Sequence, residues 1–310
     1  MLTLALALAL DLALGDPPNR WHPVAWLGRL LDAGRRRLCR GSPAALLVRG
    51  AALALGAAAL AGLAGALVSA LARRLGWAGL PLEALALASL FSLRGLAAAA
   101  RRVADALARG DLAGARALVG RHLVSRPTSA LGAGQVASAT VESVAENLTD
   151  SIVAPLAFYL AFGLGGAAVY RAVNTADAMV GYREGALEHF GKAAARLDDV
   201  LSFLPARLAG YAIVAGASFA GVSAARALAV MRRDRAVTAS PNAGWTMAAM
   251  AGALGVALEK PGAYRLGDGA LPGAADIARA LRVLFTATAL SLLTLLGTAW
   301  ITRTILLSFQ

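Results

Sequence analysis

Glu142, Glu146 and Asp150 recur at intervals of four in a chain otherwise made largely of Ala, Leu, Gly and Val. On a helix, residues at i, i+4 and i+8 share one face. Three stacked carboxylates repel one another unless a cation compensates, and a hard-oxygen Mg²⁺ site shared with substrate phosphates is the natural use. The bland alternative is a solvated acidic face. Here the face runs directly into an apolar segment, where ionisable groups are costly and mark function. Asn147 lies beside these carboxylates.

Further chemistry-bearing residues flank this stretch. Ser125-Arg126 with Thr128 precedes it, and Asn174, Asp177, Arg183, Arg196, Asp198 and Asp199 follow it. Asn174 and Asp177 are one turn apart. Asp198 and Asp199 are adjacent, which suits metal ligation or pairing with arginine. An arginine fork matches phosphate or carboxylate, although any single arginine reads first as an orientation charge. His22 sits in the proline-rich turn Asp16-Pro17-Pro18-Asn19-Arg20-Trp21-His22-Pro23, and Ser240-Pro241-Asn242 forms a second rigid polar turn. Ser and Asn cap helix starts, and such starts attract anions.

The elements that position these residues are membrane helices. Hydrophobic residues make up 58% of 310 residues, charged residues 15%, and mean hydropathy is +0.64. A soluble domain carries about 25% charged residues. A span needs about 20 apolar residues. The segments 44–72, 201–230 and 283–301 qualify, 81–100 is plausible despite Arg94, and 2–14 is shorter and carries Asp11. We read 2–14 as a retained helix, since it lacks a basic leader region and a small-residue cleavage site. The expectation is an all-α, polytopic membrane protein, one domain over 1–310, with helical interfacial loops. Segment 151–170 is uncharged but holds Pro155 and Gly163-Leu164-Gly165-Gly166. It is expected to be re-entrant, because broken backbone at membrane depth needs protein cover. The pairs Gly62/Gly65 and Gly216/Gly221 are expected to let helices approach closely.

Net charge is +12, with only two lysines, Lys192 and Lys260. Arginine on loops orients membrane proteins, and the arginine-rich segment 15–43 is placed in the cytoplasm. No nucleic-acid-binding motif or basic-aromatic interleaving is present. One cysteine, Cys39, provides neither a disulfide nor a Cys/His metal cluster. The stretch Gly185–Lys192 is not a phosphate loop, because its glycine spacing is wrong and Ala193 stands where Ser or Thr is required.

Taken together, the blocks resemble the CobD/CbiB family of cobalamin biosynthesis, adenosylcobinamide-phosphate synthase. The resemblance rests on Asp11 with Gly15-Asp16-Pro17 and His22-Pro23-Val24, on Ser125-Arg126 with Thr128, and on Glu142-Ser143-Val144-Ala145-Glu146-Asn147 with Asp150 and Ala154-Pro155-Leu156. It continues through Asn174-Thr175 with Asp177, Phe190-Gly191, Ala195-Arg196-Leu197-Asp198-Asp199 and Pro205-Ala206-Arg207-Leu208 to Ser240-Pro241-Asn242-Ala243-Gly244-Trp245. Pro127, Ala176, Ala178 and the segment 254–267 depart from the family pattern.

The resemblance implies a multi-pass enzyme of the cell inner membrane with a cytoplasm-facing site. It would join the corrinoid adenosylcobyric acid to (R)-1-amino-2-propanol O-phosphate by an amide bond, consuming ATP with Mg²⁺. Membrane lipid, other late-pathway membrane enzymes or a second copy of the chain are the expected partners, and nucleic acid is not. In that setting Glu142, Glu146, Asp150 and Asp199 are the expected metal ligands. His22, Arg126, Glu146 and Asp198 are the expected catalytic groups. Asp16, Ser125, Thr128, Asn147, Asn174, Asp177, Arg183, Arg196, Ser240 and Asn242 are the expected substrate contacts. The alternatives are an AmpE-like non-catalytic membrane sensor or a corrinoid transporter.

Overall fold

The computed structural model describes residues 1–308 and is helical almost throughout. Four helical stretches are long and apolar enough to cross a membrane: Pro43–Arg74, Gly76–Ala108, Ala133–Val180 and Ala274–Ile305. Lys192–Leu201 and Phe203–Phe219 reach that length and apolarity only when counted together across the break at Ser202. The chain is a polytopic helical membrane protein, as its composition requires.

The chain packs as two compact units, each made from two separate stretches of sequence. The first comprises Met1–Leu93 and Ala154–Ser202. It holds α1 (Leu2–Leu14), α2 (Pro23–Leu38), α3 (Pro43–Arg74), α4 (Gly79–Ala88), α8 (Ala154–Val180), α9 (Leu187–Phe190) and α10 (Lys192–Leu201). Helix starts follow local chemistry. His22 caps α2 ahead of Pro23, and Ser42 caps α3 ahead of Pro43, since proline fits a first turn whose N–H groups are unpaired anyway. The amphipathic α2 ends in Arg35, Arg36 and Arg37, which suit the negative end of its dipole. Its apolar face joins a core of Leu31, Leu46, Ala54, Ala57, Ala176, Val180 and Phe190.

The expected interruption in 151–170 is present. Although helical over most of its length, α8 is not one rod. Gly163 has φ 69° and ψ −166°, a conformation only glycine adopts without strain. The chain doubles back there. Phe158 stacks on Tyr170 with ring centroids 5.1 Å apart, whereas twelve residues of straight helix would separate them by about 18 Å. The arms on either side of Gly163 are therefore a helical hairpin. The returning arm lies against α3, where a side chain on Gly65 would meet the Leu164 carbonyl at 2.8 Å. That is the close approach expected from the Gly62/Gly65 spacing.

The second unit comprises Arg94–Val153 and Phe203–Gln310, described to residue 308. It holds most of α5 (Leu93–Ala108), with α6 (Leu112–His122), α7 (Ala133–Leu148), α11 (Phe203–Phe219), α12 (Ala224–Asp234), α13 (Ala243–Leu254) and α14 (Ala274–Ser308). A π-turn at Thr149–Val153 follows α7. The anticipated single span over 201–230 is instead split. Gly221 takes φ 72° and ends α11, and Ser223 caps α12 by accepting from the Arg226 N–H. Gly216 does pack tightly, with Thr286 Oγ1 2.8 Å from where its Cβ would be, but Gly221 serves a turn and faces open space.

An antiparallel hairpin of β1 (Leu258–Lys260) and β2 (Tyr264–Leu266) closes this unit, pairing Lys260 with Tyr264. Asp234, at the end of α12, holds its base by accepting from the Gly267 N–H at 2.7 Å. Arg233 donates to the same carboxylate and to Asp268. The Arg233 hydrogen bonds, helped by Gly267 and opposed by burial, keep the Asp234 carboxyl below the usual 3.8. A carboxyl lowered on folding adds stability above its unfolded pKa and loses that contribution as pH falls through the folded value. Asp234→Asn is expected to cost about 1 kcal/mol at neutral pH, one hydrogen bond's worth. Thermal melts of both proteins should converge below about pH 4.

Candidate functional site

In the second unit the polar residues gather along the middle and C-terminal half of α7. Val136 to Ala145 are buried along this helix, so its one buried acid, Glu142, must be satisfied by neighbours. Three groups do so. Ser138 Oγ donates to Oε1 at 2.7 Å, Tyr264 Oη donates to Oε2 at 2.8 Å, and Arg126 Nη2 lies 3.4 Å from Oε2. Ser138 in turn accepts from the Glu259 N–H at 2.7 Å. Arg265 and Gln135 hold the Glu259 carboxylate. The β-hairpin is thereby tied to α7 through hydrogen bonds that end on Glu142.

Above this network is a cavity of about 170 Å³ lined by Ser125, Arg126, Glu142, Glu146, Lys260 and Tyr264, among others. Two carboxylates one helical turn apart face two cationic side chains and a serine hydroxyl. Burial first, then the Glu142 and Glu146 charges and the Glu142 hydrogen bond, pushes the Tyr264 phenol above its ordinary value. It therefore remains a proton donor toward Glu142 throughout the neutral range. Tyr264→Phe removes one donor from a carboxylate that keeps two others. A loss of about 1 kcal/mol in stability is expected, with retained helix content by circular dichroism.

Of the residues expected here, Ser125, Arg126, Glu142 and Glu146 come together. Asp150 does not line the cavity, because it falls in the π-turn, where a wider helical turn rotates the face away from the i, i+4, i+8 line. Asn147 is turned to its own helix, donating to Ser143 and accepting from Ser151. Thr128 donates to the Arg116 carbonyl and holds the loop that carries Arg126. Lys260 and Tyr264 were not anticipated. They sit in 254–267, and nothing in their spacing shows that the hairpin folds back on α7.

Among the described residues no three His, Cys, Asp or Glu side chains are grouped to hold a metal ion. Glu142 and Glu146 nevertheless fit the way Mg²⁺ is bound, by one or two carboxylates completed by water and substrate phosphate.

Ser240 and Asn242 lie elsewhere in the same unit, at the start of α13. Ser240 Oγ accepts from the N–H groups of Asn242 and Ala243. Asn242 Oδ1 accepts from Arg207 Nη1 at 2.6 Å.

The first unit has its own polar groups. His22 Nδ1 accepts from the Val24 N–H at 3.2 Å as the cap of α2, so in the neutral ring the proton resides on Nε2. That nitrogen is 3.9 Å from Asp16 Oδ1, and Ser92 Oγ donates to Asp16 Oδ2 at 2.6 Å. Burial acts to raise the Asp16 carboxyl, but His22, Ser92 and the Arg171 charge together keep it below the usual range. Further along, Asn174 Nδ2 donates to Asp198 Oδ1 at 3.2 Å, and Arg196 lies 3.6 Å from Asp199. Arg183, Lys192, Arg196 and Asp199 line a cavity of about 220 Å³. Asp177 packs over Gly181 at the end of α8, where a Cβ would lie 1.9 Å from its Oδ1. Adjacent Asp198 and Asp199 thus have different partners, as neighbouring residues on a helix must.

The family model for CobD/Cbib proteins matches residues 4–284. A protein of Dehalococcoides mccartyi called cobalamin biosynthesis protein CobD is 42% identical over 279 residues, covering 88% of each chain. One of Klebsiella pneumoniae with the same name is 39% identical over 310 residues, covering 96% of this chain and 97% of its own. A Methanothermobacter thermautotrophicus protein, called probable cobalamin biosynthesis protein CobD, is 40% identical over 265 residues, 86% of each chain. No solved structure matches. With nearly its whole length matched by that model and by full-length relatives, this chain belongs to the CobD/CbiB protein family.

Proposed function

We propose that this protein is the amide-forming enzyme of the family, acting in cobalamin biosynthesis. It would join adenosylcobyric acid to aminopropanol phosphate at the expense of ATP. The observation that supports this best is the cavity where Glu142 and Glu146 face Arg126 and Lys260. A passive site for an anion gains nothing from two carboxylates, whereas phosphoryl transfer needs both a cation-holding and an anion-holding side.

A free carboxylate is a poor electrophile. ATP would pass its terminal phosphoryl group to the corrinoid carboxylate, releasing ADP and leaving an acyl phosphate. The amine then attacks the acyl carbon, phosphate leaves with the C–O electron pair, and one proton is lost from nitrogen. Glu142 and Glu146 would hold Mg²⁺, which when bound offsets charge on phosphate oxygens. Arg126 and Lys260 would pair with the oxygens that carry that charge, and the Ser125 hydroxyl would donate to them. Tyr264 and Ser138 fix the Glu142 carboxylate so that it need not reorganise. His22 is the proposed proton acceptor, and since Nε2 carries the ring proton toward Asp16, its Nδ1 would have to release the Val24 N–H to take up another. Asn174, Asp177, Arg183 and Arg196 are the proposed contacts for corrinoid amides or the phosphorylated amine. The membrane is proposed to be the cell inner membrane, with the arginine-rich segment 15–43 on the cytoplasmic side.

The test is one reaction. Purified protein in nanodiscs receives adenosylcobyric acid, aminopropanol phosphate, ATP and Mg²⁺, and product is followed by mass spectrometry. Formation of adenosylcobinamide phosphate, lost when ATP or Mg²⁺ is omitted, is the expected outcome. Saturable substrate binding without product would favour the sensor reading. Net corrinoid flux into sealed vesicles without product would favour the transporter.

A further inference from the structure

A second cationic cluster lies in the same unit and shares no residue with the Glu142 cavity. The Arg207 guanidinium sits 3.5 Å from the Phe203 ring centroid and 4.9 Å from that of Trp245. Arg235, from just beyond α12, sits 4.8 Å from the same Trp245 ring. Two guanidinium groups are thus brought onto one indole. Among the described residues Arg207 donates only to neutral acceptors, the carbonyls of Phe203 and Pro241 and the amide of Asn242. Among the described residues, neither arginine has a carboxylate within ion-pair distance.

Like charges held together without an opposite charge are costly, and the indole face offsets only part of that cost. The surroundings add positive rather than negative potential. Trp245 is in the first turn of α13, whose start presents backbone N–H groups and the positive end of the helix dipole. Contact with the rings holds both guanidiniums at the start of α13 before a ligand arrives. Nearby Phe203, Leu204, Tyr211 and Val237 are exposed, so the cluster opens to the outside rather than into a sealed core.

We propose that Arg207 and Arg235, braced on Trp245 at the start of α13, form a phosphate-binding site distinct from the Glu142 cavity. Its ligand chemistry is a phosphate group carrying at least one negative charge. Two sources share that chemistry, a soluble phosphorylated molecule and the headgroup of an anionic membrane lipid. Arg235 contributes a charge that meets the Trp245 ring from just beyond α12. Arg207 also ties α11 to the Ser240–Asn242 turn.

The test uses the full-length protein in detergent, with low-millimolar inorganic phosphate as the first probe and the thermal midpoint as readout. A ligand that binds only the folded protein raises that midpoint. The rise is expected in the wild type and in Arg126→Gln, and is expected to need at least tenfold more phosphate in Arg235→Gln. Arg235→Gln is the main variant because Arg207→Gln also loosens the turn. Native mass spectrometry after exchange into vesicles of phosphatidylcholine with phosphatidylglycerol reports the lipid source. Phosphatidylglycerol retained by the wild type and lost by Arg235→Gln, without a response to free phosphate, assigns the site to a headgroup. The converse assigns it to a soluble phosphoryl ligand. Arg235→Gln matching the wild type in both measurements overturns the proposal. None of these readouts depends on amide formation, so the failure of one reading leaves the other standing.

Discussion

Glu142→Ala is expected to abolish turnover and to destabilise the protein by about 2–3 kcal/mol, the range for hydrogen bonds to a charged group. Glu142 is 5% exposed, and its carboxylate is the common acceptor for Ser138, Tyr264 and Arg126. Removing it leaves the Tyr264 hydroxyl with the weak Met247 sulfur as acceptor, at 3.8 Å, and Arg126 beside a small void. The Arg126 side chain is 21% exposed, so water relieves part of its charge, and the cost stays below that of a fully buried broken pair. Glu142→Gln separates structure from chemistry. The amide keeps the volume and one oxygen, so most stability should return. The negative charge is lost, and turnover should remain at least a hundredfold down with Mg²⁺ dependence weakened. Denaturant melts paired with the mass-spectrometric assay measure both effects. Full activity in Glu142→Gln would remove the carboxylate from the proposed chemistry.

The second large effect belongs to the first unit and has no link to catalysis. A Cβ added at Gly50 of α3 would lie 1.7 Å from the Phe190 carbonyl oxygen and 2.7 Å from its carbon. Both are backbone atoms of α9, and a carbonyl cannot swing aside as a side chain does. Overpacking of this kind costs about 1–3 kcal/mol, and Gly50→Ala is expected at the upper end. Gly56, in the same helix, has nothing within 4 Å of such a Cβ. Gly56→Ala should be neutral or stabilising by up to about 1 kcal/mol, the difference in helix propensity. Thermal midpoints of the two variants, moving in opposite directions, would verify that backbone contact with α9, and not glycine content, sets the requirement. Equal midpoints would dismiss that contact.

Arg, Glu and Asp in an Ala/Leu background are legible without coordinates. Apolar runs of about 20 residues identify the spans because the bilayer admits little else. The interruption at 151–170 was legible too, since glycine and proline are local signals. The same local logic identified Glu142 and Glu146 as one face of a helix, and Ser125-Arg126 as candidate anion-binding groups. It stopped at Asp150, because a π-turn changes the pitch and no residue type announces it. It also ran Phe203–Phe219 and Ala224–Asp234 together as one span, because Gly221 reads equally as a packing residue or a turn.

What only the tertiary structure decided is which distant groups meet. Tyr264 reaches Glu142 across 122 positions of sequence, and the Glu259 N–H reaches Ser138 across 121. Arg207 and Arg235 share one indole through three separate segments. Helical periodicity fixes the relation of residues within a few turns, because it arises from backbone hydrogen bonds four residues apart. Contacts between segments arise from packing and from the need to satisfy buried polar groups. A single sequence records that need at Glu142 but not the residues that meet it.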